Sequence, residues 1–87
     1  MKNPIIEDQG NGNYYIDLDY GRSNGILHFS HELSIWVHND EDGLTILHAD
    51  EINSDGWLTY TPKELEDEYP GILKTIEEVI EDYEKTI

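Results

Sequence analysis

"HELSIWVHNDEDGLTILH", His31 to His48, decides the fold. Leu33, Ile35 and Val37 alternate with Ser34, Trp36 and His38, the period-two pattern of a strand with one buried face. Asn39 to Gly43 is dense in turn formers, and Leu44 to His48 resumes a short apolar run. The stretch therefore predicts two antiparallel strands joined by a hairpin. It also opens a doubled His-x-Asp-Glu, His38 to Glu41 and His48 to Glu51, which raises the question of a metal site.

Working outward, "YYIDLDY" alternates in the same way and places Tyr14, Ile16, Leu18 and Tyr20 on one face, opposite Asp17 and Asp19. The residues before it, ending in "QGNGN", read as a polar lead. Asn24-Gly25 suits the positive φ angles of a hairpin loop. From there Leu27, Phe29, His31, Leu33, Ile35 and Val37 share one side, and residues 25–38 form either one long strand or two short ones. After His48, "ADEINSDG" reads as a polar loop and "WLTY" as the last strand.

"TPKE", Thr61 to Glu64, starts a helix: Thr61 can accept from orphan amides, Pro62 suits the first helical position, and Glu64 completes a capping box. Tyr69-Pro70-Gly71 breaks or kinks it, since a residue before proline avoids the α region. Ile72, Leu73, Ile76, Val79, Ile80, Tyr83 and Ile87 then recur at three and four, an amphipathic stripe that must cover the sheet. The expectation is an α+β fold: an antiparallel sheet of three to five strands over residues 14–60, then one kinked helix or two consecutive helices over 62–86, packed on one face.

Eighty-seven residues, 37% of them hydrophobic, fit one domain spanning 1–87. Such a domain buries only about 60% of its unfolded surface, too little for a large enclosed active site. There is no cysteine, so neither disulfides nor a thiolate zinc site can form. The start lacks the apolar run of a signal peptide, and no stretch approaches the ~18 apolar residues of a membrane span, so a cytoplasmic protein is expected, with no membrane partner.

Charge is the extreme feature: 20 Asp and Glu against 5 Lys and Arg, a formal net charge of −15. Phosphate affinity comes from Lys and Arg, so direct nucleic-acid binding is excluded and the expected partners are basic. With the hairpin turn at Asn39 to Gly43, His48 falls near Ser34, roughly 13 Å from His38, and one metal ion cannot join them. The segment from His38 also fails as a calcium loop, having His38 and Ala49 where the first and twelfth carboxylates belong. Ser30, His31 and Glu32 are adjacent rather than assembled in space, and no phosphate-cradling glycine motif occurs. The chain is expected to be no enzyme and to need no cofactor or metal.

The carboxylates themselves form the candidate site. Asp40, Glu41 and Asp42 crowd one turn; Asp50, Glu51 and Asp55 are assigned to the next loop; Glu66, Asp67 and Glu68 lie on the first helical turns; and Glu77, Glu78, Glu81 and Asp82 line the last helix. Glu77/Glu81 and Glu78/Asp82 are like-charge pairs that destabilise a helix, and acids near its C-terminus oppose the macrodipole. Local rules broken without local gain point to function. Trp36, Trp57 or a tyrosine would anchor a partner; His28, Trp36 and His38 share a face that either forms a contact patch or has Trp36 covered by a helix or by the N-terminal segment.

In size, acidity and α+β patterning the chain resembles the small acidic inhibitors of phages and mobile elements, among them anti-CRISPR, antirestriction and uracil-DNA glycosylase inhibitor proteins. That resemblance implies a DNA mimic in a bacterial cytoplasm that occupies the basic nucleic-acid site of a CRISPR effector or other defence nuclease. Separately, "LTYTPKELEDEYPGILKTIEE", Leu58 to Glu78, is similar to a segment near the end of colicin DNase immunity proteins, which are helical bundles. It implies a nuclease-toxin immunity protein with Tyr60 and the following acids in contact. The other alternative is an acidic interaction or regulatory domain; homodimerisation is open in each case.

Overall fold

The computed structural model describes residues 4–86 except residue 24, and the side chains of all of these but residues 22, 23 and 28. Five strands form one antiparallel sheet in the order β1 (Ile5–Gly10), β2 (Asn13–Asp19), β5 (His31–Asp40), β6 (Gly43–Asn53) and β7 (Gly56–Tyr60). A separate two-stranded ribbon, β3 (Arg22–Ser23) with β4 (His28–Phe29), interrupts the link from β2 to β5. The reversal expected at Asn24-Gly25 falls partly outside the described residues; Gly25 has φ +93°. Residues 25–38 thus divide between two sheets. The shared apolar face starts only near His31, for Leu27 and Phe29 are exposed.

Two readings of the strands need correction. The supposed polar lead contains β1, an edge strand that turns Ile6 toward the core and leaves Ile5, Glu7 and Asp8 exposed, so its composition hides it. The supposed polar loop after His48 is still strand, because β6 runs to Asn53 and only Ser54 and Asp55 turn. Its polar side chains find partners on neighbouring elements, so polarity there does not mean loop. The turn after β5 is also tighter than expected, Glu41-Asp42, with Gly43 at φ +117°.

Gly12 shows how closely the β1–β2 turn approaches β5. Its φ is +82°, its carbonyl accepts from Asn39 N at 2.8 Å, and a Cβ there would stand 2.6 Å from Asn39 O. Gly12→Ala is expected to cost about 2 kcal/mol, read as a lower melting temperature by circular dichroism. Full retention of stability would mean that this turn does not pack as described.

Thr61 caps α1 (Pro62–Glu68) with the full capping box, and Tyr69-Pro70-Gly71 separates it from α2 (Ile72–Thr86), so there are two helices. Ile87 lies outside the described residues. Leu65, Ile72, Ile76, Val79 and Ile80 bury against Tyr14, Ile16, Leu18, Leu33, Ile35, Val37, Ile46 and Ala49 of the sheet. Each large apolar side chain so buried contributes about 1.5–3 kcal/mol. Leu73, assigned to the stripe, is instead exposed. Both helices cover one face of the sheet and, among the described residues, leave the other bare of helix. The helical-bundle fold implied by the Leu58–Glu78 similarity is not the fold of this chain. No helix of the described residues is long and apolar enough to cross a membrane.

Candidate interaction surface

The sheet separates the carboxylates into three settings. At one end, Asp42 N donates to Asp40 Oδ1 at 2.9 Å and His38 Nε2 lies 3.0 Å from Asp40 Oδ2, which fixes the acidic Asp40–Glu41–Asp42 turn. Asp55 marks the opposite end, its amide donating to Asn53 Oδ1 at 2.8 Å. About ten residues of β6 separate the two turns, roughly 33 Å of extended chain. They are distinct anionic points, not one patch.

The helices supply the second setting. Asp67, Glu68, Glu77, Glu78, Glu81 and Asp82 are all exposed. Glu64 is held below its usual range by its bonds to Thr61, and Glu66 is half-buried, with Oε1 accepting from Gly71 N at 3.0 Å. Nine carboxylates against three lysines lie between Pro62 and Thr86. Among the described residues, no lysine or arginine forms an ion pair with a helix acid.

The third setting removes two residues from the expected contact surface. Asp50 and Glu51 are only 7% and 8% exposed. Adjacent residues of a strand point to opposite faces, so each anchors a different network. On the helix-covered side Glu51 Oε1 accepts from the hydroxyls of Tyr69 and of Tyr60, the latter at 3.1 Å, while Oε2 accepts from Asn53 Nδ2 at 2.6 Å. The single hydroxyl proton of Tyr69 is engaged by Glu51, so His31 Nε2, 2.6 Å from that oxygen, must donate to it. Burial pushes the Glu51 carboxyl up, but its donors and nearby His31 outweigh this and hold it below the usual range. Burial and then Glu51 raise Tyr60 to about 12 and Tyr69 further, so both remain donors. This network ties the α1–α2 junction to the end of the sheet.

On the bare side Asp50 Oδ1 accepts from Thr59 Oγ1 at 2.8 Å and lies 2.9 Å from His48 Nε2. These bonds more than offset burial and lower its pKa. Trp36 lies between Tyr15 and His48, ring centroids 4.9 Å and 5.3 Å away. A row of rings thus crosses β2, β5 and β6. Sequence alternation placed Trp36 on this face but gave no sign of Tyr15 or His48 as its neighbours, because cross-strand register decides that. The side chain of His28, grouped with Trp36 and His38, lies outside the described residues.

Register also corrects the histidine spacing. The tighter turn sets His38 opposite Thr45, and the bulge between Trp36 and Val37 adds a second one-residue shift that puts His48 opposite Trp36 rather than near Ser34. The two histidines are about 7 Å apart along the ladder, not 13 Å. Each has its own carboxylate, Asp40 for His38 and Asp50 for His48, and His38 Nδ1 also meets Asn13 Oδ1 at 2.8 Å. Among the described residues no three His, Asp or Glu side chains converge to hold a metal ion. The geometry is that of an anionic surface with a bare aromatic face. No family model, curated protein or solved structure matches this chain.

Proposed function

We propose that the chain is a non-enzymatic inhibitor whose carboxylates enter the cationic nucleic-acid groove of a defence nuclease, a CRISPR effector being the target class. One observation carries this reading: Glu77, Glu78, Glu81 and Asp82 are exposed, and among the described residues no Lys or Arg pairs with them. Like-charge pairs four residues apart cost a helix a few tenths of a kcal/mol each, and acids in its last turns oppose the dipole. Folding gains nothing from them. Rigidly spaced carboxylates offer a cationic groove what a phosphate backbone offers, and the net charge of −15 adds long-range attraction.

Capture from a bacterial lysate on the immobilised chain, eluted by a salt gradient and identified by mass spectrometry, tests the reading. Nucleic-acid-binding enzymes should elute late and be displaced early by added DNA. A retained set without nucleic-acid-binding proteins, or elution indifferent to salt and DNA, would contradict it.

A further inference from the structure

The bare face of the sheet combines rings and carboxylates in a way that attraction alone does not require. Beyond the Tyr15–Trp36–His48 row, Trp57 on edge strand β7 is 69% exposed. Its cross-strand neighbour Ile52 is also exposed. Two residues from Tyr15 on the same face stands Asp17, opposite Ser34. It is half-buried, and among the described residues its Oδ1 is shut from solvent without a hydrogen-bond partner. Burial, and then Asp19, push its carboxyl pKa up. A carboxylate so poorly solvated gains more from an arriving cation than one in open water.

Charge selects the occupant. A second copy would bring −15 against −15, and a neutral segment would leave the carboxylates uncompensated. A cationic partner remains, and the rings decide between its two cations. The lysine ammonium is compact and strongly hydrated, whereas the arginine guanidinium is planar, stacks on Trp and Tyr, and forks onto carboxylates.

We infer that the bare face of the sheet reads arginine side chains of a basic protein partner, with guanidinium groups stacked on Trp36 and Trp57 and paired with Asp17. This rests on the proposed inhibitor function and deepens it. The helix carboxylates attract a basic surface, and this face distinguishes arginine from lysine within it.

The test uses the full chain with oligo-arginine and oligo-lysine peptides of equal length, followed by tryptophan fluorescence and calorimetry. Oligo-arginine should bind roughly tenfold tighter, about threefold for each tryptophan engaged. Trp57→Ala and Trp36→Leu should each remove about threefold of that preference and leave oligo-lysine binding unchanged. Trp57 is exposed, so its variant keeps the test valid if Trp36→Leu fails to fold. Asp17→Asn should weaken oligo-arginine binding yet raise the melting temperature by roughly 2–4 °C, because a half-buried carboxylate with one unpartnered oxygen is neutralised. Equal, salt-sensitive affinity for both peptides, or an arginine preference that survives both tryptophan substitutions, overturns the inference and spares the inhibitor reading. Absence of salt-sensitive binding to either peptide overturns both.

Discussion

Glu51→Ala is expected to remove about 3–5 kcal/mol of folding stability, the largest loss for a single substitution of a polar residue in this chain. The side chain is 8% exposed and gathers the hydroxyls of Tyr60 and Tyr69 and the amide of Asn53. Truncation would leave those half-buried donors without their acceptor, and a small protein has only about 5–15 kcal/mol in total. The variant should be largely unfolded near 37 °C. Glu51→Gln, which keeps one acceptor oxygen, should lose less.

The same residue sets a pH dependence. Its folded carboxyl lies below the unfolded value of about 4.3, so its contribution is fully present above that pH and is lost as pH falls through the folded value. Asp50, also lowered, acts in the same direction from the other face. Asp17 acts oppositely: its raised pKa means that its penalty grows as pH rises from the unfolded value of about 3.9 through the folded one. Urea unfolding at a series of pH values should therefore show a steeper acid limb in the wild type than in Glu51→Gln. A Glu51→Ala variant within about 1 kcal/mol of wild type would show that the network contributes little.

Reversing Glu77, Glu78, Glu81 and Asp82 to lysine should slow association with a basic partner by about 10- to 100-fold at low salt. Each reversal adds two charge units, taking the formal net charge from −15 to −7. Neutralising the same four to Gln or Asn removes the repulsive pairs and should raise helix stability by a few tenths of a kcal/mol per pair. Slower binding with equal or greater stability is the signature of side chains kept for a partner. Stopped-flow association together with thermal melts measures both. Unchanged binding by a folded lysine variant would favour an acidic interaction domain whose charge serves solubility.

Where one physical signal dominated, the chain could be read directly. Alternation in Tyr14–Tyr20 and Leu33–Val37 located β2 and the central strand β5, and the Thr61–Glu64 capping box located α1 within a residue. Where satisfaction of polar groups comes from distant residues, reading failed. Ala49–Asn53 looked like loop because the partners of Asp50 and Glu51 are Thr59, Tyr60 and Tyr69, on other elements. An edge strand with one inward apolar residue, β1, carries too little pattern to detect. The histidine separation failed for a third reason: a turn one step tighter than expected and one bulged residue each shift the register of everything beyond them. The exposed helix acids and Trp36 could be placed from sequence, whereas Asp17 and the ring row emerge only from cross-strand pairing.

Binding of the chain to a captured defence nuclease, followed from low to physiological salt with and without the enzyme's own nucleic acid, weighs groove occupancy itself. Affinity should fall at least tenfold over that range and be abolished by saturating nucleic acid, as expected for carboxylates standing in for phosphates. An affinity that holds constant across salt, or a ternary complex with nucleic acid still in the groove, would contradict it.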